Sequence, residues 1–122
     1  MRIRTLVLSG GLLAASLPAF AHHGWSWAQD TQSEVSGTIK DIYIGPPHPR
    51  LQVEAEDGTW TVELGNPNQT QRAGFVEGSA KNGDPITVTG NKPAEGNEKR
   101  IKAVKINAGG KDFVFYPERV KQ

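Results

Sequence analysis

Between Leu51 and Leu64 the chain reads LQVEAEDGTWTVEL, two runs of alternating apolar and polar residues about a central Asp57-Gly58. A period of two marks a strand with one buried face, and an Asp-Gly break between two such runs predicts a hairpin with a type I′ turn. Closure there pairs Ala55 with Trp60, Val53 with Val62 and Leu51 with Leu64 on the apolar side. Glu56/Thr59, Glu54/Thr61 and Gln52/Glu63 then fall on the polar side. A slip of one residue in either strand would turn its whole apolar set to solvent, so this segment commits the chain to a sheet with one covered face.

The flanking sequence extends that sheet. Glu34 to Ile44, EVSGTIKDIYI, reads as an earlier strand whose alternation breaks once, with Gly37 as the site of a bulge or a sharp coil. After the hairpin, Asn66-Pro67 offers an N-cap followed by proline at the first helical position, and Gly74 stops a helix of one or two turns. Lys81-Asn82-Gly83-Asp84 then turns into a strand over Pro85 to Gly90. The polar loop KPAEGNEKR leads to another over Ile101 to Ile106, and KDFVFYP supplies a sixth strand at an edge. The order β-β-β-short helix-β-β is that of an oligonucleotide/oligosaccharide-binding (OB) barrel. The fold class expected is all-β: a small five- to six-stranded OB-like barrel with one short helix, preceded by a cleaved signal peptide.

That signal peptide is read from the first residues. Arg2 and Arg4 begin the chain, an apolar run of roughly 13 residues follows, and Pro18-Ala19-Phe20-Ala21 closes it with small residues at the recognition positions. The run is shorter than the ~20 residues that cross a bilayer, so no membrane anchor is expected. Residues 1–21 are assigned to the signal peptide, 22–33 to an extended N-terminal segment and 34–122 to the barrel domain, and the location expected is periplasmic. The sequence contains no cysteine, so in an oxidising compartment the core alone must hold the fold. Removing Arg2 and Arg4 leaves 12 basic residues against 13 acidic ones. That balance gives a nucleic acid or an anionic membrane nothing to hold, and neither is expected as a partner.

Several stretches together resemble a family of small secreted bacterial proteins known only as a domain of unknown function. They are Ala21-His22-His23-Gly24, Asp30, Gly37-Thr38-Ile39, Pro46-Pro47-His48, Gly58-Thr59-Trp60, Pro67 through Arg72-Ala73-Gly74, and Lys81-Asn82-Gly83-Asp84. Members usually carry serine after the two histidines and Asn-Pro-His in the loop, where this chain has Gly24 and Pro46-Pro47-His48. The resemblance implies export and an OB-like barrel and brings no activity with it. More loosely, such a barrel is similar to small secreted OB-fold stress-tolerance proteins.

The chemistry available rests on three histidines, His22, His23 and His48, the only ones present. Cleavage after Ala21 would make His22 the first residue, whose free amine and imidazole can chelate one metal ion while His23 or His48 adds a third nitrogen. An all-nitrogen set of this kind suits copper(II). Prolines on both sides of His48 restrict its loop and reduce the ordering entropy lost on binding a ligand. The same residues also suit an ordinary polar start and a loop histidine bonded to backbone. Trp25 and Trp27, one residue apart, would share a face of an extended segment and cover the barrel, or shield a bound copper ion. Trp60 reads as core.

Catalytic signatures are missing from the sequence: no serine sits in a nucleophile motif, no glycine-rich phosphate loop precedes a helix, and no Cys/His pair is possible. Glu54, Glu56 and Glu63 read as a solvated stripe. The leading expectation is a periplasmic metal-binding protein, copper first, acting in storage, delivery or tolerance. The alternative is a non-enzymatic OB-type binding module for a small ligand, an envelope glycan or a protein partner near His48. An oxidative copper enzyme built on His22 ranks last.

Overall fold

The computed structural model describes residues 24–121. The proposed signal peptide, together with His22 and His23, lies outside the described residues. Strands β1 (Ala28–Tyr43), β2 (Arg50–Ala55) and β3 (Gly58–Glu63) precede helix α1 (Pro67–Arg72). After it come β4 (Pro85–Pro93), β5 (Arg100–Ala108), β6 (Lys111–Val114) and a 3-10 turn over Pro117–Arg119. The sheet runs β3-β2-β1-β4-β5-β6, and a parallel pairing of β3 with β5 joins its two sides into a ring. The domain is mostly β, with one short helix between β3 and β4, in the element order that the sequence predicts.

The ring depends on β1, which pairs β4 from Ala28 to Thr38 and β2 from Gly37 to Tyr43. Only Gly37 and Thr38 belong to both ladders, so the strand coils there. A Cβ at Gly37 would sit 2.1 Å from the Glu54 carbonyl oxygen, so only glycine permits this approach. The bulge itself falls at Lys40, where the β1–β2 register shifts between Ile39 and Asp41, rather than at Gly37. Gly90 of β4 approaches Lys102 of β5 in the same way, with a Cβ position 2.0 Å from its carbonyl oxygen.

The hairpin closes one residue earlier than Asp57-Gly58. Ala55 pairs with Gly58, Val53 with Trp60 and Leu51 with Val62, leaving Glu56-Asp57 as the turn. The side of each residue is unchanged, because moving the turn by one residue changes each pairing by two positions. Leu51, Val53, Trp60 and Val62 are all buried. Asp57 is anchored by the Trp60 indole, whose Nε1 donates to Asp57 Oδ1 at 2.8 Å, and Gly58 leaves the turn at φ +126°.

Helix α1 begins as expected: the Asn66 side chain accepts from the Gln69 amide at 2.8 Å, while Gln69 Oε1 accepts from the Asn66 amide at 3.1 Å. This capping box satisfies two amides that the helix start would leave open. Phe75, just beyond the helix, meets Phe113 and Phe115 edge-on at 5.1 and 6.3 Å, which ties the C-terminal segment to the helix. The turn over Lys81 to Asp84 is pinned to β1 through Ile39, which donates to the Asp84 carbonyl and accepts from Gly83. Val35, Ile39, Leu51, Val53, Val62, Val88, Ile101 and Ile106 fill the interior.

Candidate binding cleft

At the open side of the β3–β5 pairing lies a cleft of about 460 Å³, lined by Gly24, Trp27, His48, Arg50, Thr61, Glu63, Arg100 and Lys102. Its walls come from three distant stretches. Loop 44–49 brings His48 in just after the Pro46-Pro47 peptide, which is cis. Pro49 beside it is fully buried and its carbonyl accepts from Leu64, so the base of the loop is fastened to the end of β3. The His48 side chain is exposed and makes no hydrogen bond to a described residue. Tyr43 donates its hydroxyl proton to the Pro46 carbonyl, and the Arg50 guanidinium lies 4.7 Å from the Tyr43 ring centre.

The second wall is made by β5. Arg100 donates through Nε to Glu63 Oε2 at 2.7 Å and lies over the Trp27 ring at 3.5 Å. Both partners of the ion pair are about three-quarters buried, a geometry that holds better than a fully exposed pair. Lys102 is 9% exposed, with Trp25 and Tyr116 rings each 5.6 Å from its Nζ. Adjacent strand residues face opposite ways, so while Ile101 and Ala103 enter the core, Lys102 points to the side that Trp25 and Tyr116 cover. Burial pushes the Lys102 pKa down; Glu63 opposes this, and Arg100 and Arg119 add to it. Tyr116 is pushed up, chiefly by its own burial.

Residues 24–27 supply the third wall. They form a turn, with the Ala28 amide donating to the Trp25 carbonyl, and not the extended run expected for the two tryptophans. Trp25 packs edge-on against Tyr116 at 4.9 Å with the Arg119 guanidinium 3.9 Å from its ring centre. Trp27 serves the cleft instead, beneath Arg100. Both rings therefore have packing roles, and cations draw on their faces.

The structure thus brings His48 and Gly24, the residue that follows His23, to one cleft. His22 and His23 themselves are outside the described residues. No group of three or more His, Cys, Asp or Glu side chains is arranged to hold a metal among the described residues. Sequence reasoning misses Arg50, Thr61, Arg100 and Lys102. The one local sign is a lysine inside an otherwise buried strand, IKAV, where alternation fails. Among the glutamates, Glu54 stays at the surface with Lys40 at 3.7 Å, whereas Glu63 belongs to the cleft.

No helix among the described residues is long and apolar enough to cross a membrane. No curated protein matches the chain. Among solved structures, a "ZRD-deleted" mutant of TiaS in complex with agmatine is 18% identical, with a TM-score of 0.48 over 62% of this chain and 20% of that one. A complex of TiaS with an isoleucine tRNA and ATP is 18% identical, with a TM-score of 0.49 over 63% of this chain and 18% of that one. The chain thus spans about a fifth of the length of these neighbours. A family of unknown function, DUF6152, matches residues 10–102, and the protein belongs to that family.

Proposed function

We propose that this protein is an exported, periplasmic metal-binding protein that takes copper(II) through an N-terminal chelate of the His22 amine and imidazole, with His48 or His23 adding a third nitrogen. The observation that supports the reading is that Gly24 and His48 line one cleft. His23 and His22 are one and two residues before Gly24, and each step along the chain spans about 3.8 Å. Chain connectivity therefore allows the terminal nitrogens to reach the loop histidine. Copper suits the donors available, because imidazole and amine nitrogen favour it, whereas calcium or magnesium would need a carboxylate cage. With one lining carboxylate, already paired to Arg100, the cleft offers no such cage. Storage, delivery or tolerance, rather than turnover, is the role this reading gives the site.

The test is a competition titration with copper on three forms of the protein: processed to His22, processed and then acetylated on the His22 amine, and processed with His48→Ala. Acetylation removes the chelating amine without creating a new one, so the affinity of that form should drop by about tenfold or more. Loss of His48 should weaken the processed form if the loop completes the site. Equal affinity of the acetylated and unmodified processed forms refutes the chelate.

A further inference from the structure

The walls of the His48 cleft carry three cations and one carboxylate. The carboxylate is spoken for: Glu63 holds Arg100 at 2.7 Å, and Glu98 adds a contact of 3.8 Å to the same guanidinium. Arg50 and Lys102 are left without a carboxylate in ion-pair distance among the described residues. Lys102 is the more unusual of the two. The residue as a whole is 9% exposed, its Nζ makes no hydrogen bond to a described residue, and that Nζ would lie 3.6 Å from a Cβ on Gly24, another lining residue of the cleft. An ammonium group loses hydration at such a position, and two aromatic rings at 5.6 Å return only part of it.

We propose that this cleft binds a small organic oxyanion, a carboxylate or a phosphate, with the Lys102 ammonium at its floor and the Arg50 guanidinium at its rim meeting the charge. The volume points to an organic body and not a bare ion. About 460 Å³ lies in the range of small-molecule sites, and Trp27 beneath Arg100 adds a flat apolar wall. Arg50 can offer two parallel N–H donors to a carboxylate or phosphate edge, while Lys102 contributes a point charge. Thr61 adds a hydroxyl whose only bond to a described residue is long, 3.4 Å to Gln52. A bound anion would also oppose the desolvation that lowers the Lys102 pKa. The site does not depend on the metal reading, since neither cation is among the proposed copper ligands.

Calorimetric titration of the metal-free, processed protein with citrate, glucose 6-phosphate and inorganic phosphate tests this. Trp25 and Trp27 fluorescence gives a second readout. Citrate or the sugar phosphate should bind more tightly than inorganic phosphate, and the stronger of the two identifies the acid group. Lys102→Met and Arg50→Gln should each weaken that binding by about tenfold or more, while Lys111→Gln, at an exposed position on β6, should leave it unchanged. Melting curves establish that each variant is folded, and Arg50→Gln, on the surface, carries the test if Lys102→Met does not fold. The proposal is overturned if none of the three anions binds at millimolar concentration, or if binding survives both cleft substitutions. Copper binding that persists while the anions fail sinks this site alone. Anion binding without copper binding sinks the metal reading alone.

Discussion

Replacing Gly37 with alanine puts the closure of the ring to a direct test. The added Cβ would lie 2.1 Å from the Glu54 carbonyl oxygen, 2.8 Å from its carbon and 3.1 Å from the Ala55 Cα, where ordinary contact begins at 3.4 Å. All three atoms are backbone, so no rotamer change relieves the clash, and β1 must separate from β2 where both ladders share a residue. Overpacking a well-packed site costs about 1–3 kcal/mol, and displacing paired backbone places this variant at or above ~3 kcal/mol. For a domain of this size, each kcal/mol lowers the melting temperature by about 4–8 °C, so a drop of roughly 12–24 °C is expected. Gly83→Ala is the control: its φ is +99°, but nothing lies within 4 Å of the new methyl, which leaves backbone strain of about 1 kcal/mol. Thermal unfolding by circular dichroism ranks the two. If Gly37→Ala melts no lower than Gly83→Ala, the close approach and the coil built on it are wrong.

Gly58→Val should destabilise by more than ~1 kcal/mol because φ is +126° at that position, and an unchanged urea midpoint would contradict the turn geometry. The Trp60 indole holds the Asp57 carboxyl below its ordinary 3.8, so this bond stabilises the fold above the unfolded value and is lost as pH falls through the folded one. Asp57→Asn should therefore lose less stability than the parent on the acid limb, and parallel limbs would count against the bond. Lys102 has the opposite charge and the same depressed direction: burial costs stability while it is charged, and stability should rise as pH climbs from the folded value toward the unfolded 10.5. Lys102→Met should flatten that alkaline rise and melt higher than the parent; a variant that keeps the rise would show that another group causes it. Copper affinity should fall steeply below pH ~6, because protons compete for amine and imidazole nitrogens, and a flat profile from pH ~7.5 to ~5 would require other ligands.

Local signals in this chain are legible where one stretch of sequence carries both partners. The Asn66–Gln69 capping box, the Lys81–Asp84 turn and the inward face of the hairpin are all of that kind. The sequence places the hairpin turn one residue late because Asp-Gly is the stronger hairpin pair in isolation. Here the Trp60 indole holds the Asp57 carboxylate from across the turn, and Gly58 joins the ladder. At Gly37 the choice between bulge and coil needs the neighbour strand, since the glycine is required by Glu54, 17 residues away in the chain.

The cleft is hidden for a stronger reason. Arg100 reaches Glu63 only through the parallel pairing of β3 with β5, a contact 37 residues apart that no alternation pattern specifies. Lys102 becomes a buried cation because Trp25 and Tyr116, near opposite ends of the described chain, close over it. His48 is visible as a histidine held between prolines, but its neighbours Arg50 and Lys102 give its surroundings a positive character that the near-neutral sequence balance conceals.

The most direct measurement is made on the protein isolated from the cells that naturally produce it, with intact mass and metal content determined on the same sample. A mass that begins at His22, with copper in stoichiometric amount, is the predicted result. A mature chain that begins elsewhere, or one that begins at His22 and carries no copper after growth with copper supplied, contradicts the N-terminal chelate.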